Sequence, residues 1–210
     1  MTENDEVKSE KLKDVYDKNR SVDDQREIYR DWAETYNEQT TNEFGWMGFK
    51  PAAEAFAERV NDKSARVLDA GCGTGLSGVA LAEQGFTNLH GLDLSPEMLA
   101  IAEKTGVYTS LGEVNLTHPI AVAEPFDAIM SAGVFGFGPP HPEHLPHLIN
   151  AAKPDGLVML TVNGKGWQDM NWETRLSETV EANNLVLEEQ LDIAYLEKEE
   201  IDGKLLVFRK

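Results

Sequence analysis

The sequence predicts an α/β fold, an open sheet of about seven strands with helices on both faces. Strand and helix patterns alternate along most of the chain, which is typical of a parallel sheet. The last two strand patterns adjoin without a helix between them, which favours an antiparallel C-terminal hairpin. A glycine-rich turn follows the first buried strand pattern, which indicates a ligand site at one edge of the sheet.

Composition places the chain among single-domain globular proteins. Its 210 residues are enough to bury about 70% of the unfolded surface. The content of 41% hydrophobic and 27% charged residues is that of a soluble protein. A formal net charge of −18 and a pI near 4.6 argue against binding to nucleic acid or to anionic membranes, because both need Lys and Arg. An acidic surface tuned for solubility is the preferred interpretation.

Several features of the chain predict a cytoplasmic location. No stretch approaches the ~20 apolar residues of a membrane span, and the N-terminus lacks the basic start and apolar run of a signal peptide. The single cysteine, Cys72, forms neither an intramolecular disulfide nor a cysteine-based metal site. The sequence leaves open whether the protein is a monomer or a homodimer.

The N-terminal third is predicted to be a weakly patterned arm followed by helices. Residues 1–20 are highly charged, which indicates a flexible arm, and residues 21–210 form the single domain. Ser21 is a helix N-cap, and the helix that follows runs to Tyr36 with its aromatic residues on one face. A glycine-hinged aromatic loop leads to a second helix that begins at Pro51.

The rest of the chain alternates as the fold class requires. The predicted strands are 66–70, 88–92, 107–114, 126–131, 156–162, 185–197 and 204–208. The predicted helices are 76–84, 96–104 and 172–182. Between the last two strands, Asp202-Gly203 predicts a tight hairpin turn, since this dipeptide suits the left-handed backbone of such turns.

The glycine turn admits two interpretations. Its glycines allow a sharp turn and a close approach of ligand to main chain, and the following helix start offers free N–H groups. Gly73-x-Gly75-x-x-Gly78 matches a dinucleotide fingerprint, with Asp93 at the spacing of a ribose-binding acid. However, a carboxylate at Asp69 would repel a pyrophosphate above the loop and would suit a cationic ligand such as an amino group.

Two segments together carry a resemblance to a known family. Asp69-Ala70-Gly71-Cys72-Gly73-Thr74-Gly75, followed by Gly91-Leu92-Asp93-Leu94-Ser95-Pro96-Glu97-Met98-Leu99, resembles the class I S-adenosylmethionine (SAM)-dependent methyltransferases, which share a Rossmann-like seven-stranded sheet. The pattern Tyr29-x-x-Trp32-Ala33-x-x-Tyr36 resembles the N-terminal lid of small-molecule methyltransferases, the Williams–Beuren-region methyltransferase-like group in particular. The resemblance covers about residues 25–210 and implies that residues 21–60 form a lid.

The resemblance implies an activity and a set of cofactor residues. The activity is in-line transfer of a methyl group from SAM to a small-molecule acceptor, which leaves S-adenosyl-L-homocysteine (SAH). Asp93 is expected to accept the ribose hydroxyls, and Asn115 to accept the adenine amino group where the family often has an acid. The cofactor-binding set is Tyr36, Asp69, Gly71, Cys72, Gly73, Gly75, Asp93, Leu94, Met98, Asn115, Leu116, Ser131 and Ala132.

The segment His141-x-x-His144-x-x-His147 is the one candidate for catalytic side chains. His141 or His144 could serve as a general base, since an ordinary histidine pKa lies near ~6.5. A solvent-exposed helix start is the alternative, and no metal site is predicted because this spacing drifts around a helix without a carboxylate partner. Two other functions stay open, a SAM-binding protein without robust catalysis and an NAD-dependent oxidoreductase. The acceptor and the methylated atom are not encoded in any motif.

Overall fold

A computed structural model describes residues 10–210 and places seven strands in one sheet. The strands are β1 Val67–Ala70, β2 Leu89–Asp93, β3 Tyr108–Glu113, β4 Phe126–Phe135, β5 Ala152–Asn163, β6 Val186–Leu196 and β7 Ile201–Arg209. Their order across the sheet is β3-β2-β1-β4-β5-β7-β6. Strands β1 to β5 are parallel, and β7 lies antiparallel between β5 and β6. The predicted fold class is confirmed.

Helices cover both faces of the sheet. They are α1 Glu10–Val15, α2 Val22–Trp32, α3 Tyr36–Glu38, α4 Phe49–Arg59, α5 Leu76–Glu83, α6 Pro96–Glu103, α7 Leu145–Ile149, α8 Gly164–Asp169 and α9 Trp172–Asn183. A 3-10 turn, Ala33–Thr35, joins α2 to α3, and a π-helical turn, Gln39–Glu43, follows α3. In the described part of the chain, no helix combines the length and the apolar character needed to cross a bilayer.

The strand order reverses between β1 and β4, and this reversal positions the site. Leu68 of β1 pairs with His90 of β2 on one side and with Ile129 of β4 on the other. The helix α5, which connects β1 to β2, and the helix α7, which connects β4 to β5, therefore lead away from each other. A crevice opens between them, beyond the carboxyl ends of β1 and β4. All four residues of β1 are buried, so the strand at the centre of the crevice is held from both faces.

Two hydrophobic clusters hold the helices on the sheet. One face packs Leu68 and Ile129 against Trp172, and the other packs Met130 against Phe56, all at 2% exposure or less. Burying each such large side chain contributes roughly 1.5–3 kcal/mol.

The predicted hairpin turn at Asp202-Gly203 is wrong. Both residues lie inside β7, and the turn is made by the 3-10 helix Glu197–Glu199 together with Glu200, whose φ is 57°. Gly203 instead serves packing, because a Cβ there would lie 2.6 Å from the ring of Tyr195. The dipeptide Asp202-Gly203 is therefore typical of a turn in sequence only, because its glycine is required for close packing.

Other strand and helix limits also differ from prediction. The strand predicted at 156–162 begins four residues earlier, because β5 also includes residues 152–155, where Asp155 has a φ of 62° and its N–H donates to the carbonyl of Lys210 at 2.8 Å. The short helices α7 and α8 were not predicted from periodicity, since neither spans two full turns.

The flexible arm expected at residues 1–20 lies partly outside the described residues, which begin at 10. Within the described part, the ring of Tyr16 stacks on Phe137 with centroids 4.3 Å apart, and its hydroxyl accepts from Asn163 at 2.9 Å. Arg20 is buried and donates to the carbonyl of Asp14 at 3.2 Å. The segment from Tyr16 onward therefore packs against the body of the domain.

Candidate functional site

One cleft of about 770 Å³, its open mouth included, lies beyond the carboxyl ends of β1, β2 and β4. Side chains of α2 and the aromatic loop cover it, and the glycine turn forms its floor. It is lined by Val22, Gln25, Tyr29, Tyr36, Trp46, Gly71, Cys72, Gly73, Thr74, Leu76, Ser77, Asp93, Leu94, Met98, Val114, Asn115, Leu116, Ala132, Gly133, Val134, Pro139 and Pro140.

Most of the residues chosen from the sequence meet in this cleft. Ten of the thirteen line it, namely Tyr36, Gly71, Cys72, Gly73, Asp93, Leu94, Met98, Asn115, Leu116 and Ala132. The other three, Asp69, Gly75 and Ser131, lie outside the lining. Ser131 is fully buried and donates to the carbonyl of Ala70 at 2.7 Å, which joins β4 to β1 beneath the cleft.

The glycine turn has different functions at different positions. Gly73 has a φ of 52°, and a Cβ added there would meet nothing within 4 Å, so this part of the main chain is open to a ligand. At Gly71 a Cβ would lie 2.1 Å from a methyl of Val134, so glycine is needed for packing there. Gly75 is the N-cap of α5 and packs towards Thr105, which explains its absence from the cleft.

Asp93 connects three parts of the site. Its Oδ2 accepts from the N–H of Gly73 at 2.8 Å, and its Oδ1 accepts from the N–H of Ser95 at 2.9 Å. Burial raises the pKa of Asp93, while the N–H donors of Ser95 and Gly73 lower it. An ionised carboxylate has about four acceptor positions, so Asp93 retains acceptors for hydroxyl groups of a ligand in the cleft.

Asp69 lies beneath the glycine turn rather than in the cleft. Its Oδ2 accepts from the hydroxyl of Ser77 at 2.7 Å and from that of Tyr108 at 2.6 Å. Burial raises the pKa of the Asp69 carboxyl to about 6. This fully buried side chain holds the start of α5 from below and lies outside the cleft lining, so its contact with a cationic ligand, directly or through water, stays a prediction.

The end of β3 also departs from expectation. The Oδ1 of Asn115 accepts from the N–H of Thr117 at 2.9 Å and from its hydroxyl at 2.8 Å. This local turn is a common use of asparagine. Both lone pairs of that oxygen are therefore engaged within the chain, and the amide oxygen expected to accept from adenine is not free to do so.

Aromatic side chains form the lid over the cleft. The rings of Trp32 and Tyr36 are 4.8 Å apart, and those of Tyr36 and Trp46 are 6.4 Å apart. Trp32 is 2% exposed and belongs to the core, whereas Tyr36 and Trp46 line the cleft. Burial raises the pKa of Tyr36 well above its ordinary value. The hydroxyl of Thr74 donates to Asn37, which attaches the lid to the glycine turn.

The C-terminal hairpin supports the lid from outside. The N–H of Met47 donates to the carbonyl of Tyr195 at 2.9 Å, and the N–H of Glu197 donates to the carbonyl of Gly45 at 3.1 Å. These bonds place Trp46 over Gly133, where a Cβ would lie 2.5 Å from its ring.

The two histidines predicted as bases lie outside the cleft lining. The Nδ1 of His144 accepts from the N–H of His141 at 3.0 Å, within the turn that begins α7. Desolvation lowers the pKa of both rings. Their neighbours Pro139 and Pro140 do line the cleft, but a direct role for either ring as a base is not supported. No group of His, Cys, Asp and Glu able to hold a metal ion occurs among residues 10–210.

Sequence reasoning missed several residues of the cleft. Gln25 was passed over, although it shares a helical face with Val22 and Tyr29. Trp46 was noticed only as part of an aromatic loop, because its approach to Gly133 depends on the distant hairpin. Thr74 and Ser77 also line the cleft, but the glycine pattern of the turn gives no indication of a role for the residues between the glycines.

Comparison with known proteins agrees with this geometry. Residues 47–194 match a family model described as a methyltransferase domain. Methyltransferase-like protein 27 of Homo sapiens is 41% identical over 47% of this chain and 40% of its own length. Trans-aconitate 2-methyltransferase of Pseudomonas aeruginosa is 34% identical over 51% of this chain and 38% of its own. The chain thus spans about two fifths of the length of these curated relatives.

Solved structures share the fold. A TehB-like SAM-dependent methyltransferase from Corynebacterium glutamicum superposes with a TM-score of 0.63 at 24% identity, covering 87% of this chain and 97% of that one. The [4+2]-cyclase SpnF superposes with a TM-score of 0.71 at 15% identity, covering 91% and 97%. One architecture therefore carries more than one named activity.

Proposed function

Because the chain belongs to the family of methyltransferase domains, we propose that it transfers a methyl group from SAM to a small-molecule acceptor. The observation that carries the proposal is the joint placement of Gly73 and Asp93 on one cleft at the strand-order reversal, under an aromatic lid. When bound, SAM would supply an electrophilic methyl carbon on a sulfonium, and in-line attack by an acceptor atom on that carbon would release SAH as the leaving group.

The residues of the cleft fit SAM part by part. The open main chain at Gly73 suits close approach of the methionine portion. The unused acceptor positions of Asp93 suit the ribose hydroxyls. Leu94, Met98 and Leu116 supply an apolar surface for the flat face of adenine.

Positioning and exclusion of water supply the catalysis in this proposal. Tyr36 and Trp46 cover the cleft, which holds the reactants together and keeps bulk solvent from the reacting atoms. Burial raises the pKa of Cys72 well above its ordinary value, so the thiol stays protonated and is a poor base. Among the described residues that line the cleft there is no histidine or lysine, and the one carboxylate, Asp93, is assigned to the ribose hydroxyls in this proposal.

We further infer that the acceptor atom has no proton to lose at neutral pH, as in a carboxylate. Such an atom needs no general base. The name of one group of relatives, trans-aconitate 2-methyltransferase, is that of an enzyme acting on a small organic acid, which is consistent with this class of acceptor.

Calorimetric titration with SAM, SAH and NAD in parallel tests the donor. Binding of SAM and SAH without NAD is expected, and binding of NAD alone would contradict the proposal. SAH release is then measured with trans-aconitate and other small carboxylic acids, and with matched alcohols as controls. Turnover restricted to acids is expected, whereas SAM binding without turnover of any acceptor would favour a non-catalytic SAM-binding protein.

A further inference from the structure

Gln25 presents an unmet hydrogen-bond acceptor at the cleft. The side chain is 8% exposed and lines the cleft, and its buried Oε1 has no hydrogen-bond partner within residues 10–210. A buried polar atom without a hydrogen-bond partner lowers the stability of the folded protein. Such an atom in a ligand cleft indicates a donor that the ligand supplies.

The position of α2 indicates which end of the cleft the ligand's donor group would occupy, namely the end near β3. Arg26, next in the chain, forms an ion pair with Glu113 at the end of β3, with 2.5 Å between nitrogen and oxygen. One turn later, Tyr29 lines the same cleft. The ion pair of Arg26 therefore places the start of α2, with Gln25, beside the end of β3.

The end of β3 offers the cleft no free side-chain oxygen. Asn115 uses both lone pairs of its Oδ1 on Thr117, and Glu113 pairs with Arg26 and is not among the residues that line the cleft. Gln25, Val114 and Asn115 line the same cleft, and Gln25 brings to it, from the lid, an acceptor that the end of the strand does not offer.

We propose that Gln25 recognises the adenine base of the methyl donor through its side-chain amide. The Oε1 accepts from the 6-amino group, and the Nε2 donates to the neighbouring ring nitrogen, a pairing for which glutamine and adenine are geometrically matched. This inference rests on the proposed function. In this inference the lid recognises the adenine base in addition to covering the cleft. The recognising side chain belongs to α2 and not to the end of β3.

Affinities for SAH and for its 6-desamino analogue, in which hydrogen replaces the amino group, test this assignment. The wild-type protein is expected to prefer SAH about tenfold, since one buried hydrogen bond distinguishes the two ligands. Gln25→Ala is expected to bind both about equally. Gln25→Glu keeps an acceptor for the amino group and is expected to retain the preference. Gln168→Ala, which removes an exposed glutamine outside the cleft, is the matched control.

Thermal unfolding separates recognition from a structural role. Because Oε1 has no partner within the described chain, Gln25→Ala is expected not to lower the Tm of the free protein, while the rise in Tm caused by SAH shrinks. A Gln25→Ala variant that still prefers SAH tenfold would overturn the inference alone, as would a wild-type protein without that preference. Failure of the wild-type protein to bind SAM or SAH would overturn the proposed function and this inference with it.

Discussion

Asp93 supports the glycine turn and, in the proposed function, also binds the ligand. Asp93→Asn replaces one acceptor oxygen with a donor, which then faces the N–H of Gly73 or of Ser95. We expect the affinity for SAH, measured by calorimetry, to fall about tenfold or more, because charge-assisted hydrogen bonds are lost. Asp202→Asn, at an exposed position outside the cleft, should leave the affinity unchanged. Equal affinities for both variants would contradict a ribose-binding role.

Asp69 makes a prediction about pH. Its pKa is raised from 3.8 to about 6 in the folded protein, so the folded state holds this proton more tightly than the unfolded state does. Its contribution to stability is therefore complete below pH 4 and is lost as pH rises towards 6. Relative to Asp69→Asn, the wild-type free energy of unfolding should fall by roughly 2 kcal/mol from pH 4 to pH 7.

Urea unfolding of both proteins across that pH range measures the difference, and the other carboxylates cancel in the comparison. A constant difference between the two proteins would show that Asp69 ionises normally in the folded state.

The sequence predicted correctly those site residues whose positions depend only on neighbouring residues of the chain. The positions of Gly73 and Asp93 follow from the register of a strand and its turn, and both line the cleft. The burial of Asp69 could not be predicted, because it depends on Tyr108 arriving from β3 to donate a hydrogen bond. The engaged oxygen of Asn115 was predictable in principle, since Asn-x-Thr favours this turn.

Among the elements, the glycine turn offers a test with a matched control. Gly73 and Gly106 both have a left-handed backbone, with φ of 52° and 69°, and both face open space. Alanine at either position should lower the free energy of unfolding by about 1–2 kcal/mol, because a Cβ is strained in this conformation.

SAH affinity should fall only for Gly73→Ala, since only Gly73 lines the cleft. Loss of affinity in both variants would mean that backbone strain, rather than obstruction of the cleft, is responsible.

The strands and long helices were predictable because their periodic patterns extend over many residues. Thus β2 and α6 begin within one residue of the predicted limits, where Ser95 caps the helix. The irregular path from Ala33 to Glu43 was not predictable, because its π-helical turn is shaped by tertiary packing against the hairpin. The hairpin turn was predicted at the wrong place for a similar reason, because Gly203 is required by the packing of Tyr195 against it and not by a turn.

For the whole molecule, the net charge of −18 predicts a dependence on salt. Self-repulsion destabilises a compact acidic chain, and dissolved salt screens it. The free energy of unfolding should rise with KCl, mostly below about 0.3 M, since the Debye length already falls to about 10 Å at 0.1 M. Urea unfolding at several KCl concentrations measures this, with sucrose at equal osmolarity as the uncharged control. A flat response to KCl would mean that the charges are spaced too widely to repel.

The bonds between the lid and the C-terminal hairpin also bear on how the protein is made. Met47 and its acceptor Tyr195 are separated by most of the chain, and so are Gly45 and Glu197. A ribosome adding about 5–20 residues per second needs roughly 7–30 seconds to synthesise the intervening residues. Throughout that interval the nascent lid lacks its supporting partner, and its aromatic side chains have no completed surface to dock on. The cleft therefore lacks part of its support until the hairpin has been synthesised, and chaperones that shield apolar segments can act on residues 29–46 during that interval.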